Sequence, residues 1–392
     1  MNRSAARRWT INGDFLALHP NGVVRYAREV TTALDRIVAS RHPLTRDLEL
    51  EIVAPRPAVE QLPLSAIPLR VLPEFNRPRL PQLWAQMQLP WHVPGGLLSF
   101  CNLAPVSIRR QIVCIHDLQT RLAPESYGRG FRFAHRILLP IIGRWCAGVT
   151  TVSEFSRSHL INFGVVPERK LVVTYNGHEH ATYWDPADSK LEFSSEQPFV
   201  LALGRRQRHK NNELLRRIAA PLDAMGIDLC IAGDLDPGEF AQEDGVPANV
   251  RILGRISDSD LAKALDAALC FLLPSRIEGF GLPALEAMAR GCPTIVSHAA
   301  SLPEICGDAA LYAAPDNEAE WTAAVEQLRI DPLLRHKLRI RGMDRARHYS
   351  WQKIAETYLE MMARVDACLP VMDPKGSPEL APVGKPVTQW PQ

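Results

Sequence analysis

Along the second half of the chain, short unbroken apolar runs alternate with stretches in which apolar residues recur every three or four positions. The runs are FVLALG (199–204), LCIAGD (229–234), VRILG (250–254), LCFLLPS (269–275) and PTIVS (293–297). A strand that is apolar on both faces is covered on both, the pattern of a parallel sheet between two layers of helices. Helices are predicted between the runs, one from about Asn212, one near DSDLAKALDAA (258–268) and one from Pro283, since proline suits the first helical position. The first half is less regular but similar. LELEIVAP (48–55), LRVLP (69–73), GGLLSF (95–100), RQIVCIHD (110–117) and GVTTVSE (148–154) read as strands, and NGVVRYAREVTTALDRIVA (21–39) as a helix after a glycine turn.

The expected architecture is therefore α/β, with two doubly wound Rossmann-like domains. The boundaries are set at residues 1–185 and 186–369, joined across the polar stretch Asp185–Pro198. An amphipathic helix over 351–369 is expected to close the second domain, and the Pro-rich residues 370–392 read as a disordered tail.

Composition adds limits. At 392 residues the chain has room for two domains, and 46% hydrophobic with 22% charged residues is ordinary for a globular protein. No apolar run approaches the roughly 20 residues of a membrane span, and the N-terminal stretch does not read as a secretory signal. The eight cysteines are scattered without a CxxC pair, which fits reduced thiols in a cytosolic protein better than a disulfide frame or zinc site. Charge is unevenly spread. Residues 1–184 hold about 22 Lys and Arg against about 13 Asp and Glu, roughly +9, so the remainder carries roughly −7 of the net +2. A basic first half suits an anionic ligand or surface.

Candidate chemistry gathers at two strand ends of the second half. In RIEGFGLPALEAMARG, Gly279 and Gly281 permit close approach of backbone N–H groups to a ligand, and the helix beginning near Pro283 offers a positive dipole end. Glu286 is expected in that helix's first turn, where a carboxylate can accept hydrogen bonds from a ribose diol, with Glu278 toward the other end of the ligand. After FVLALG, the cluster Arg205, Arg206, Arg208 and Lys210 forms a plausible phosphate site. A strand–turn–helix connection and a basic surface loop remain the plainer readings of the two stretches. Asp234-Leu-Asp236 and His178-Glu-His180 are poor metal motifs, the second lacking the i, i+4 spacing of a helical zinc site.

These residues carry a resemblance. EGFGLPALEA with Glu278 and Glu286 eight apart, the GRRQRHKN loop, YNG (175–177) and TVSEFSR (151–157) look like retaining glycosyltransferase family 4, most like its exopolysaccharide mannosyltransferases. The resemblance covers about residues 10–365. It implies the GT-B fold, with two Rossmann-like domains facing a central cleft, the first for the acceptor and the second for a sugar nucleotide. It implies Glu286 on the ribose, and Glu278 with the Gly279, Phe280, Gly281 and Leu282 backbone on donor sugar and phosphates. Lys210, with Arg205 or Arg208, would hold the diphosphate. From the first half, NGVVRY resembles the family's glycine loop, placing Gly22 near the phosphates. His116 matches a histidine on the donor sugar, and Ser153 a serine near the cleft. The implied reaction is hexosyl transfer with retention, needing no metal or cofactor. The donor expected first is GDP-mannose and second a UDP-hexose, and the acceptor a lipid-linked glycan or polysaccharide. No nucleic acid is expected. Arg, Phe, Trp and Leu interleave in 77–93 and 128–145, a composition that suits either an anionic bilayer or core helices with snorkelling arginines. The expected location is cytoplasmic, peripheral to the inner membrane face. A GT-B epimerase or hydrolase and a non-catalytic scaffold are the alternatives.

Overall fold

The computed structural model describes residues 6–72, 84–192, 197–240 and 246–367, with the side chains of Pro237 and Glu239 left out. The expected tail, and part of the 77–93 stretch, lie outside these residues. The described chain divides into two compact units.

The first unit holds a seven-stranded parallel sheet of order β3-β2-β1-β4-β5-β6-β7. Its strands are β1 (Arg7–Asn12), β2 (Leu48–Ala54), β3 (Leu69–Val71), β4 (Gly96–Ser99), β5 (Gln111–Cys114), β6 (Gly148–Thr151) and β7 (Leu171–Val173). Helices α1 (Gly22–Ala39), α2 (Arg129–Trp145) and α3 (Glu154–Asn162) belong to it. Helix α1 starts where Asn21 Oδ1 accepts the N–H groups of Val23 and Val24 at 3.0 and 3.1 Å, satisfying two donors the helix cannot satisfy itself.

The second unit holds a six-stranded parallel sheet of order β10-β9-β8-β11-β12-β13. Its strands are β8 (Phe199–Arg205), β9 (Asp228–Asp234), β10 (Val250–Gly254), β11 (Cys270–Leu273), β12 (Thr294–Ser297) and β13 (Leu311–Ala313). Around them lie α4 (Asn212–Ala224), α5 (Asp258–Ala267), α6 (Leu282–Ala289), α7 (Leu302–Cys306), α8 (Glu318–Ile330) and α9 (Pro332–Arg347). Val200, Ala202, Ile231 and Leu272 of the central strands pack with Leu215, Ile218, Trp321 and Val325 in one core.

Three strands escaped the sequence reading. β1 begins with two arginines, and β7 and β13 are three residues each, too short for a periodic signal. The domain assignment also changes in detail. The last helix, α10 (Trp351–Val365), belongs to the first unit and not to the second, and Gln119–Gly128 belongs to the second. Helix α10 packs beside α1. The phenol of Tyr358 meets Tyr26 Oη at 3.0 Å and Thr150 Oγ1 at 2.6 Å, and Tyr26 Oη meets Thr174 Oγ1 at 2.9 Å. Burial holds both phenols protonated, well above their ordinary range. At its end, Asp366 accepts from Arg7 Nε at 2.7 Å, from Trp9 Nε1 at 3.0 Å and from Arg110.

Candidate functional site

In an open parallel sheet, ligands bind beyond the carboxyl ends of strands where the strand order reverses. In the second unit that point lies between β8 and β11, and the two loops singled out in the sequence leave those two strands. Asn211 stitches them together. It sits in the left-handed region (φ +63°), and its Nδ2 donates to Pro274 O at 3.0 Å and Pro315 O at 2.7 Å. The N–H of Arg276 donates to His209 O at 2.8 Å. Asn212 Nδ2 donates to Arg205 O at 2.7 Å, fixing the strand end.

On this frame Lys210 and Glu278 meet. Lys210 Nζ donates to Glu278 Oε1 at 2.6 Å, with Glu278 buried and Lys210 half-buried. Such a charge-assisted bond in a partly desolvated place is strong, and it sits at the mouth of the turn. Ser301 Oγ donates to Glu278 O at 3.0 Å, holding the backbone beneath the carboxylate. Gly281 then starts α6 at φ +96°, and a Cβ there would lie 2.5 Å from Leu302 Cδ2. No side chain caps this helix start; Pro283 has no N–H to cap, and those of Ala284 and Leu285 turn back to Gly281 O at 2.9 and 3.3 Å, so the start offers a positive dipole end more than a row of donors. Helix α6 begins at Leu282, so Glu286 is its fifth residue, one turn deeper than the first-turn position expected. Its carboxylate is buried and accepts from His180 Nε2 at 2.9 Å.

The remaining cations divide. Arg205 is half-buried at the end of β8. Arg206 and Arg208 are exposed and line a separate cavity of about 410 Å³ with Asn211, Asn212, Arg216 and Arg276. His209, between Arg208 and Lys210 in the chain, is buried, its Nδ1 3.0 Å from Ser126 Oγ and its ring stacked on Tyr127. Burial, reinforced by the Lys210 charge, pushes its pKa down to about 4, so it is neutral. The two weak metal motifs have other employment. Asp236 accepts from Gly238 N at 2.9 Å, and His178 Nδ1 lies 2.6 Å from Tyr349 O.

The first-unit candidates sit at the carboxyl edge of their own sheet. His116 follows β5, with Nε2 2.8 Å from Phe100 O and its N–H donating to Asn102 Oδ1 at 2.8 Å. Burial lowers its pKa, so the imidazole is neutral and Nε2 is its donor. Gly22 is exposed at the start of α1, and a Cβ on it would meet nothing within 4 Å. Ser153 is fully buried and caps α3, its Oγ accepting from Ser156 N at 3.0 Å.

Sequence reading gave His180, Asn211 and Arg290 no role. Each acts through a contact distant in sequence, and the only local cue was the already quoted KN and HEH.

Two Rossmann-like parallel sheets in one chain are the architecture of the GT-B fold. Residues 185–345 match the family model described as Glycosyl transferases group 1. Residues 185–345 are thus similar to group 1 glycosyltransferases, and the two parallel sheets have the GT-B fold. It is 29% identical over 264 residues to an O-antigen chain mannosyltransferase B of Escherichia coli, covering 63% of this chain and 68% of that one. It is 29% identical over 214 residues to a GDP-mannose:cellobiosyl-diphosphopolyprenol alpha-mannosyltransferase of Komagataeibacter xylinus, covering 52% and 53%. The chain thus spans between about half and two-thirds of these relatives' lengths. Among solved structures, Anabaena Alr3699/HepE in complex with UDP and glucose shares the fold at a TM-score of 0.66 and 17% identity, over 91% of this chain and 99% of that one.

Proposed function

We propose that the chain transfers a hexosyl group, with retention of configuration, from a nucleotide sugar to a lipid-linked or polysaccharide acceptor in bacterial surface polysaccharide synthesis. The observation that carries this reading is the Lys210–Glu278 pair beside the uncapped start of α6, between β8 and β11. A diphosphate placed there meets the positive dipole end of α6 and the Lys210 ammonium, assisted by Arg205 or Arg208. Negative charge on that diphosphate grows as the glycosidic bond breaks, so these groups favour the transition state over the bound substrate. Released from Lys210, the Glu278 carboxylate accepts hydroxyls of the donor sugar. Gly279 to Leu282 line the turn through backbone N–H groups, and Glu286 takes the ribose diol. His116 serves the donor sugar and Gly22 the phosphates. Ser153 serves its own helix. The reaction runs without a metal ion or other cofactor.

The mannosyltransferase relatives favour GDP-mannose as donor. A UDP-hexose is the second reading, favoured by the neighbour solved with UDP and glucose. A lipid-linked acceptor fits a further feature. Phe133, Ile137, Ile141 and Trp145 recur every four residues along α2 and are 67%, 44%, 37% and 53% exposed. Arg132, Arg136 and Arg144 run beside them, also exposed, and 129–145 contains no acidic residue. An apolar stripe edged with cations suits the surface of an anionic bilayer. Among the described residues no helix is long and apolar enough to cross a membrane. The reading places the protein in the cytoplasm, peripheral at the inner face.

The test is calorimetric titration with GDP and with UDP, side by side in EDTA, followed by transfer of labelled mannose from GDP-mannose to a polyprenyl-diphosphate glycan. Tight GDP binding with transfer is expected. Preference for UDP replaces the donor, and binding of neither overturns the nucleotide site.

A further inference from the structure

We propose that His180 is a positioning residue of the nucleotide site, holding one oxygen of Glu286 so that the other stays turned to the ribose diol. This rests on the nucleotide-sugar reading of that site. His180 Nε2 lies 2.9 Å from Glu286 Oε1, and the two side chains are 3% and 8% exposed. The contact joins residues 106 apart in the chain, so it is built by the fold and not by local sequence.

The surroundings hold the imidazole in place. His180 sits on the single helical turn Glu179–Thr182, edge-on to the Trp184 ring with centroids 5.4 Å apart. Arg290, which ends α6, donates through one nitrogen to Ala181 O at 2.8 Å and Trp184 O at 3.2 Å. Its other two nitrogens clasp Asp266 at 2.8 and 2.6 Å. The helix bearing Glu286 therefore also fixes the turn bearing its partner.

The chemistry of the partner matters. A buried carboxylate without a donor is costly. An arginine would satisfy it through two parallel bonds, one to each oxygen, and leave little acceptor capacity for a ligand. One imidazole N–H engages one oxygen only. Among the described residues no other hydrogen bond to the Glu286 carboxylate is found, so it is anchored on one side and keeps its remaining acceptor sites for two hydroxyls.

The experiment pairs protein variants with ligand deletions. GDP and 2′,3′-dideoxy-GDP are titrated calorimetrically into wild type, His180→Ala and His180→Gln, with folding checked by thermal unfolding. The wild type is expected to prefer GDP. His180→Ala should weaken GDP about tenfold and leave the dideoxy nucleotide within about twofold, because the ribose hydroxyls that Glu286 would serve are absent from it. His180→Gln, which keeps an N–H donor, should recover most of the loss. An equal fall for both nucleotides, or no fall for GDP, overturns the proposal. Should His180→Ala fail to fold, His180→Gln alone decides, since wild-type discrimination in a folded glutamine variant supports the donor role and its loss refutes it. A wild type that binds both nucleotides equally removes Glu286 from the ribose altogether, and one that binds neither removes the nucleotide site. Either result overturns the proposal through its premise.

Discussion

The first sheet, β3-β2-β1-β4-β5-β6-β7, and the second, β10-β9-β8-β11-β12-β13, reverse direction at equivalent places, between β1 and β4 and between β8 and β11. Their carboxyl edges are nevertheless furnished differently. At the second, carboxylates meet hydrogen-bond donors in partly dry pairs, Glu278 with Lys210, and Glu286 with its histidine. At the first, the singled-out polar groups are neutral or spent on the backbone. His116 is uncharged and tied to Phe100 O, and Ser153 caps a helix. Topology supplies a crevice in both units. The placement of charge separates the two edges, and the matched family segment falls on the charged one.

Removing Glu278 is the strongest way to test that contrast. Glu278→Ala should lower transfer by about 10²–10³-fold, while a thermal melt remains cooperative because the half-buried Lys210 can turn to water. His116→Ala should cost clearly less in the same assay. Equal losses would break the contrast.

The two glycines sharpen it next. Gly281→Ala forces a side chain into a left-handed backbone and against Leu302, so it should destabilise the fold by about 1–3 kcal/mol in denaturant unfolding. Gly22→Ala meets no protein atom and should leave stability unchanged while reducing transfer. A loss of stability at Gly22 would make that glycine a requirement of the fold and not of the ligand.

The first unit's own charged contact gives a smaller effect. Burial alone would raise the Asp366 pKa, but hydrogen bonds from Arg7, Arg110 and Trp9 outweigh it and the net shift is downward. A depressed folded pKa stabilises above the unfolded value and is lost as pH falls through the folded value. Asp366→Asn should therefore lower the melting temperature at neutral pH, with the two proteins converging in acid below about pH 4. A difference that persists undiminished in acid would remove the charge from the explanation.

Smallest is the outer face of α2. Phe133→Ser with Ile137→Ser should weaken binding to anionic vesicles several-fold in a co-sedimentation assay and leave the melting temperature unchanged. Unaltered vesicle binding would detach this stripe from the lipid.

The sequence made the second sheet easier to read than the first for a physical reason. β8, β9 and β11 are buried on both faces and appear as unbroken apolar runs. β1 carries an exposed Arg8 within RRWTIN and shows no such run. Lys210, Glu278 and Gly281 were legible because turn, cation and acid lie within short segments beside strand ends. His180 was not, because its partner lies 106 residues away, and the HEH spacing addressed only metal binding. The allegiance of α10 was equally invisible, since an amphipathic helix does not state which surface it covers.

That last helix has a consequence for how the chain is made. Tyr26 finds Tyr358, and Arg7 finds Asp366, across almost the whole length of the polypeptide. During synthesis the first unit is begun first and finished last. Its opening strand and helix wait, with part of their apolar surface uncovered, while the entire second unit emerges and folds. A ribosome stalled before residue 350 would carry both sheets with all their strands, but a first unit still lacking the helix that packs on α1.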